Sequence, residues 1–186
     1  MADLIRAERR EVVPAEGGQG TARGRQYLSF MVGQEAFGVE ISGIKEIIEY
    51  RAPTEVPMMP AYMRGVINLR GRVVPVIDLS VRFGRAPLTV ARRTCIVIVE
   101  IQHEGEQIDL GVAVDAVSAV LEIADGNIEP APSFGAKLRA DFILGMGKVA
   151  EKFVIILDIA KVLSVEELAS LVEAGQTAGA ETGAAG

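Results

Sequence analysis

The chain contains few of the residues that most often take part in catalysis or form the disulfide bonds of secreted proteins. Its 186 residues include one cysteine, one histidine and no tryptophan, and aromatic residues make up only 5%. A single cysteine cannot form an internal disulfide bond. The longest apolar runs, such as Phe153–Leu157, are strand-sized and too short to cross a bilayer. Since the first residues also lack the apolar core of a secretion signal, we expect a cytoplasmic protein without direct membrane insertion.

Charge and hydrophobic composition narrow the class further. Acidic residues outnumber basic ones by 25 to 19, which gives a net charge of −6 and argues against a general nucleic-acid binder. Hydrophobic residues make up 49% of the chain. With so few aromatic residues, a core must be built mainly from valine, isoleucine and leucine. The β-branched members of that set favour strands.

No group of residues has the spacing of a catalytic or metal site. The histidine, His103, lies in a polar turn, and Cys95 lies in an apolar run typical of a buried, inert thiol. No Cys/His spacing suits zinc. Gly145–Ala150 imitates a dinucleotide fingerprint, but that motif needs a following helix, and the strand-like run Phe153–Ile159 follows instead. We therefore expect no enzymatic activity, no cofactor and no metal ion.

Two segments of the chain occur twice. Residues 38–49 return at 111–122 with every apolar position, the leading glycine and the final glutamate kept, and residues 65–79 return in the same way at 145–159. The sequence therefore predicts one small module written twice. Polar side chains that only one copy carries are not needed for the shared fold, so function should be sought among them.

Each copy contains about five short, closely spaced apolar runs. Turns such as Arg70-Gly71 join them, as in hairpins, and Ile44–Tyr50 is predicted to be a short helical turn leading into a strand. Pro75 within one run indicates a sheet edge, a bulge or a barrel corner. A parallel α/β sheet is disfavoured because no helix of adequate length separates the runs. The pattern predicts an all-β fold of two SH3-like five-stranded β-barrels arising from an internal duplication, with a C-terminal α-helix.

The predicted boundaries follow from these patterns. Ser164-Val165-Glu166-Glu167 is a capping box, which predicts the start of the C-terminal helix. The expected segments are a flexible N-terminal arm at 1–24, a domain at 25–168 with a first barrel at about 25–88 plus part of the C-terminal segment and a second barrel at about 92–160, a helix at 164–174 and a disordered tail at 175–186.

The two copies differ in their charges. Glu46 in the first copy corresponds to Ala119 in the second, and Arg70 corresponds to Ala150. Lys45 also has no charged counterpart, but we interpret it as an isolated, solvated surface charge. Arg70 lies next to a glycine, which lets a partner approach closely. The first copy therefore carries a charged pair where the second is neutral and small.

These charges predict a surface for protein recognition. If Ile44–Tyr50 is a strand, then Ile44, Glu46 and Ile48 share one face of it. A mixed apolar and charged surface of this kind suits a protein interface, where arginine is a common hot spot.

The second copy has a departure of its own, a longer loop between Pro130 and Gly145. It contains Phe134, which follows two prolines and has no periodicity that ties it to a strand. Two interpretations are open at this point. Phe134 either tucks under its own loop or is an exposed anchor for a partner.

A series of motifs runs through nearly all of the ordered chain. The motifs include Phe37-Gly38-Val39-Glu40-Ile41, Arg64-Gly65-Val66-Ile67-Asn68-Leu69-Arg70-Gly71, Val74-Pro75-Val76-Ile77-Asp78-Leu79 and Phe142-Ile143-Leu144-Gly145-Met146-Gly147. In order and spacing they resemble the CheW-type chemotaxis coupling proteins over about residues 23–168. The resemblance implies two SH3-like five-stranded barrels, no enzymatic activity and no cofactor.

The resemblance also implies partners and contact residues. It implies a cytoplasmic adaptor that couples the cytoplasmic tip of chemoreceptors to a chemotaxis histidine kinase, through the kinase's SH3-like regulatory domain, in membrane-associated arrays. It places Ile44, Glu46 and Arg70 at or near the receptor and kinase contact surfaces of the first barrel. It places Phe134 at a second-barrel contact with the kinase that closes rings in the array. The alternative is an adaptor of the same fold in a non-flagellar motility pathway or another chemosensory-type kinase pathway.

Overall fold

The computed structural model describes residues 24–131 and 140–163. The predicted helix at 164–174, the tail at 175–186, Phe134 and the arm at 1–24, apart from Gly24, lie outside the described residues. The strands are β1 Gly24–Val32, β2 Glu35–Glu40, β3 Ile44–Glu49, β4 Met63–Leu69, β5 Arg72–Asp78, β6 Cys95–His103, β7 Glu106–Val114, β8 Ala116–Ala124, β9 Ile128–Glu129, β10 Ile143–Val149 and β11 Lys152–Leu157. The helices are α1 Leu79–Arg82 and α2 Ile159–Leu163, with 3₁₀ turns at Ile41–Gly43, Asp125–Asn127 and Ala140–Phe142.

Hydrogen bonding gathers the strands into two sheets. Five strands form lobe 1 in the order β3-β6-β7-β5-β4, and six form lobe 2 in the order β8-β1-β2-β11-β10-β9. The predicted all-β fold is confirmed, with β9 as an additional two-residue strand in lobe 2. Ile44–Glu49 is strand from its first residue, and the 3₁₀ turn Ile41–Gly43 precedes it, so the strand predicted within Ile44–Tyr50 is confirmed but the helical turn predicted at its start is wrong.

The two copies of the repeat exchange their first hairpins. The hairpin β1–β2 of the first copy lies in the middle of lobe 2, and the hairpin β6–β7 of the second copy lies in the middle of lobe 1. Each exchanged hairpin joins the sheet of the other copy through an equivalent parallel pairing. Val76 pairs with Gly111 in lobe 1, and Ile156 pairs with Gly38 in lobe 2. Each of the ranges expected for the two barrels, 25–88 and 92–160, therefore contributes strands to both lobes.

Matching irregularities in the two lobes show the duplication at the level of the backbone. The ladder of β3 shifts register at Lys45, and that of β8 shifts at Ser118, the corresponding residue of the second copy. The ladder of β4 shifts at Arg64, and that of β10 shifts at its counterpart Leu144. A β-bulge inserts one extra residue and bends its strand, so both copies bend at the same two positions.

Glycine is required at the second pair of bulges. A Cβ atom on Gly65, whose φ is +139°, would collide with the carbonyl oxygen of Thr54. A Cβ atom on Gly145 would come within 2.6 Å of Ile128 Cγ2 and 2.8 Å of Glu129 O. In each lobe the glycine lets a neighbouring segment pass close to the bulged strand.

The largest hydrophobic cluster lies between the lobes. In β6 the side chains alternate, so that Val97 and Val99 join this central cluster while Ile96 and Ile98 face the smaller interior of lobe 1. The buried members of the central cluster are Leu28, Phe30, Val32, Phe37, Val39, Ile77, Leu79, Phe83, Val97, Val99, Ile101, Leu110, Val112, Val114, Phe142, Leu157, Val162 and Leu163. Because strands of both lobes supply this cluster, each lobe depends on the other for part of its apolar burial.

Pro75 lies inside lobe 1 rather than at its edge. It is paired with Val66 on β4. The Val66 carbonyl accepts a hydrogen bond from the Thr54 N–H at 2.8 Å, and the Val66 N–H donates to the Thr54 carbonyl at 2.9 Å. The parallel ladder between β5 and β7 begins one residue later, at Val76. The missing N–H of the proline is therefore tolerated where the ladder starts.

The exchange of hairpins predicts that neither half of the chain folds alone. A cut between Val90 and Ala91, two exposed residues of the connection between the copies, leaves each lobe without its central hairpin. We expect fragments 1–90 and 91–186 to give poorly dispersed amide spectra separately and a native-like spectrum when mixed. A well-dispersed spectrum from either fragment by itself would contradict the shared core.

Candidate functional site

The tight turn between β4 and β5 carries an arginine in an unfavourable conformation. Arg70 has a φ of 52° and Gly71 a φ of 83°, as in the two-residue hairpin turns that favour Asn-Gly. The left-handed conformation costs a residue with a side chain roughly 1–2 kcal/mol. Asn68 Oδ1 accepts a hydrogen bond from the Gly71 N–H at 2.9 Å and supports the turn. The counterpart turn of lobe 2 has the same conformation, with φ values of 47° at Ala150 and 65° at Glu151, so this backbone belongs to the shared fold and Arg70 is distinguished by its side chain alone.

Arg70 forms a bidentate ion pair with Glu46. Arg70 Nη1 donates to Glu46 Oε1 at 3.0 Å, and Nη2 donates to Oε2 at 2.9 Å. Since β3 and β4 are the two edge strands of lobe 1, the pair links the β4–β5 turn to the opposite edge of the sheet. The Arg70 side chain is 76% exposed and that of Glu46 22%. The charged pair expected from the sequence therefore exists, and it lies at the surface.

Ile44 does not share a face with Glu46 and Ile48, so that expectation was wrong. The bulge at Lys45 shifts the register between Ile44 and Glu46. Ile44 consequently packs, half-buried, against the cluster between the lobes, whereas Ile48 packs against the interior of lobe 1. A strict two-residue alternation fails across a bulge because the extra residue reverses the side-chain direction.

Lys45 is part of a charge cluster rather than an isolated surface charge. Its Nζ lies 2.9 Å from Asp109 Oδ2 and 3.5 Å from Glu100 Oε2. Arg72 Nη1 donates to the same Asp109 oxygen at 3.1 Å. The hydrogen bond with Asp109 is the largest cause that raises the pKa of Lys45 above its ordinary value. Sequence reasoning missed Asp109 and Arg72 because they belong to different copies and meet only through the exchanged hairpin.

A second ion pair, between Arg64 and Asp78, is buried and structural. The fully buried carboxylate of Asp78 accepts hydrogen bonds from Arg64 Nε at 3.0 Å and from the N–H groups of Ser80, Val81 and Leu88 at 2.9, 3.4 and 2.9 Å. It thereby caps the N-terminus of α1. Burial opposes the charged form of Arg64, but the hydrogen bond and charge of Asp78 outweigh it and raise the Arg64 pKa.

A cavity of about 530 Å³ lies between the loop that follows β3 and the start of α1. Arg64 and Asp78 line it together with apolar residues such as Val56, Met59 and Pro60. Arg64 also donates to the Tyr50 hydroxyl at 3.1 Å and to the Leu88 carbonyl at 2.7 Å. Arg64 and Asp78 are therefore already engaged by the protein itself.

The remaining expectations from the sequence concern a metal site, a membrane-spanning helix, a dinucleotide motif and Phe134. Within residues 24–131 and 140–163, no three His, Cys, Asp or Glu side chains cluster closely enough to hold a metal ion. The helices of this part of the chain are also too short or too polar to cross a membrane. The Gly145–Ala150 segment belongs to β10 and its turn into β11, so no helix follows it to receive a dinucleotide. The role of Phe134 stays a prediction.

Comparisons with known proteins agree with this architecture. A family model described as CheW-like domain matches residues 26–167. The chemotaxis protein CheW of Klebsiella aerogenes is 35% identical over 150 residues, which cover 81% of this chain and 88% of that protein. A probable chemotaxis protein CheW of Rhizobium etli is 33% identical over 143 residues, 77% of this chain and 90% of that one. The crystal structure of the scaffolding protein TtCheW from Thermoanaerobacter tengcongensis matches with a TM-score of 0.66 at 33% identity, covering 73% of this chain and 90% of the other.

The buried pair predicts unequal effects of two equivalent substitutions. Asp78→Ala leaves Arg64 without its counter-charge and the start of α1 uncapped, so we expect the free energy of unfolding to fall by about 3–5 kcal/mol. Asp158, its counterpart, is partly exposed and accepts a hydrogen bond from the Lys161 N–H at 3.4 Å. Asp158→Ala should therefore cost no more than about 1 kcal/mol. Urea unfolding of both variants measures the difference, and equal losses would refute a special role for the buried pair.

Proposed function

Because the chain belongs to the family of proteins with a CheW-like domain, we propose that it is an adaptor that couples chemoreceptors to the chemotaxis histidine kinase. The match over residues 26–167, nearly the whole described fold, is the observation that carries this function. The two relatives described above have chemotaxis in their names, which favours this role over another motility pathway. The fold is that of a scaffold, two SH3-like β-barrels sharing one core.

The finer assignment of partners is part of the proposal. The adaptor would contact the cytoplasmic tip of the receptor and the SH3-like regulatory domain of the kinase, and these contacts would recruit it from the cytoplasm to membrane-associated arrays. It would perform no turnover. Its work would be placement, since a coupling free energy of about 1–3 kcal/mol between two binding sites is enough to shift a kinase between activity states.

The exposed pair Glu46–Arg70 supports a docking surface on lobe 1. The bidentate contact holds the guanidinium in one orientation, which lowers the entropy that a partner must remove on binding. Arginine at such sites is a frequent hot spot. Ile44 is proposed as a contact next to this surface rather than on it, because its half-buried side chain packs against the central cluster on the other face of β3. Lobe 2 has Ala119 and Ala150 at the corresponding positions, so the charged surface belongs to lobe 1.

Reversing the charge of Arg70 tests the proposed function. Arg70→Glu should raise the Kd for a receptor cytoplasmic fragment at least about 30-fold, the scale of a hot spot. The fold should survive because the side chain is mostly exposed. Pull-downs of receptor fragment and kinase with the wild-type chain, Arg70→Glu and Ala150→Glu would measure this. Ala150 occupies the same turn position in lobe 2 and serves as the matched control.

The outcomes of this pull-down separate clearly. The wild-type chain and the control should retain both partners together, and Arg70→Glu should lose the receptor. Failure of the wild-type chain to retain either partner would overturn the adaptor function. Unchanged receptor retention by Arg70→Glu would overturn the docking surface.

Phe134 is proposed as a contact of the second copy with the kinase that closes rings in the array. Phe134→Ala should leave receptor binding by lobe 1 intact, because Arg70 and Glu46 belong to the first copy of the repeat and Phe134 belongs to the second. It should reduce the ordered lattice of receptors seen by cryo-electron tomography of cells. Arrays of normal order in cells that carry this variant would argue against the contact.

A further inference from the structure

A second arginine stands beside Arg70 on the same hairpin. Arg72 begins β5, two residues beyond Arg70, and its side chain is 67% exposed. Within residues 24–131 and 140–163, its side chain makes one hydrogen bond, from Nη1 to Asp109 Oδ2 at 3.1 Å. A guanidinium carries five N–H donors in a planar fork. Most of the donors of Arg72 are therefore available to an external acceptor.

Asp109, on the neighbouring strand β7, holds the Arg72 side chain in place. Its side chain is 11% exposed and accepts hydrogen bonds from both Lys45 and Arg72. A nearly buried carboxylate on β7 thus holds one cation from β3 and one from β5. The arginine is oriented before any partner arrives, which reduces the ordering cost of a new contact.

The cations of this cluster are more exposed than the anions that neutralise them. Arg70 is 76% exposed against 22% for Glu46, and Arg72 is 67% exposed against 11% for Asp109. The formal charges in the two pairs cancel, yet guanidinium groups form the outer layer. A partner therefore meets a cationic face, although the whole chain has a net charge of −6. Such a face complements carboxylates.

The approach to this face is open. A Cβ atom placed on Gly71, between the two arginines, would meet no heavy atom within 4 Å. Val73, the next residue along β5, is 71% exposed. The hairpin therefore offers two guanidiniums on either side of a bare backbone position, with an exposed apolar side chain on the opposite face of β5.

Lobe 2 lacks this arrangement. By the alignment of the repeats, Lys152 takes the place of Arg72, and Ala36 takes the place of the anchoring Asp109. A lysine is a flexible point charge that does not reproduce the bidentate geometry of arginine. The anchored arginine belongs to the first lobe, so the shared fold does not require it.

We propose that Arg72, oriented by Asp109, is a specificity-determining residue that pairs with a carboxylate on the chemoreceptor's cytoplasmic region. This inference rests on the adaptor function proposed above. The receptor is the chosen partner because Arg72 is continuous with Arg70, whose charge reversal is expected to weaken receptor binding. Asp109 is a positioning residue in this scheme.

Conservative substitutions separate recognition from structure. Arg72→Gln retains an N–H donor toward Asp109 but removes the charge, and Arg72→Lys retains the charge. Calorimetric titration with the receptor cytoplasmic fragment, at low and at physiological salt, should show a Kd about tenfold higher for Arg72→Gln and a weaker dependence on salt. Arg72→Lys should recover a large part of the loss. Lys152→Gln, the matched control in lobe 2, should bind as the wild type does, and thermal unfolding should be alike for all three.

Three outcomes of these binding measurements would contradict the inference. An unchanged Kd and salt dependence for Arg72→Gln, alongside weakened binding by Arg70→Glu, would refute the role of Arg72 while leaving the adaptor function standing. An equal loss of affinity for the kinase would assign the residue to the wrong partner and refute the proposal. Failure of the wild-type chain to bind the receptor fragment would overturn both.

Discussion

The hydrophobic cluster between the lobes is the constraint on which the rest of the structure depends. Both copies of the repeat supply its side chains. The first hairpin of each copy lies in the sheet formed by the remaining strands of the other copy and contributes to the cluster from there. The interiors of the individual lobes are smaller. Apolar burial scales with the area removed from water, so the shared cluster makes the two lobes one folding unit and holds their outer surfaces in a defined relation.

The two lobes share the irregularities of their backbones but differ in their charged residues. The bulges, the glycines that accompany them and the aspartates that precede the two short helices recur in both lobes. Most of the charged groups do not recur. Glu46 and Arg70 correspond to two alanines in the other lobe, and the partly buried Arg64 corresponds to the exposed Leu144. Arg72 corresponds to Lys152, which keeps the charge but lacks the guanidinium. A duplicated adaptor can thus offer different surfaces to different partners without changing the packing that supports them.

Much of the fold followed from short-range patterns in the chain, whereas the site followed from them only in part. Alternating and β-branched runs, tight turns and the repeat predicted an all-β protein and singled out Glu46 and Arg70. The same reasoning placed Ile44 on the wrong face, because a bulge has no reliable local signature. It also treated Lys45 as isolated, because its partner Asp109 is distant in sequence and comes from the other copy.

The sequence by itself determined which segments form strands, where they turn and which charges are peculiar to one copy, since these depend on residues close together in the chain. Only the tertiary structure decided which strands became neighbours, which carboxylate anchors Arg72 and which of two ion pairs is buried. Those outcomes depend on the exchange of hairpins and on the core it creates. The physical reason is that pairing between strands from different copies is selected by burial over the whole molecule and leaves no pattern within a single strand.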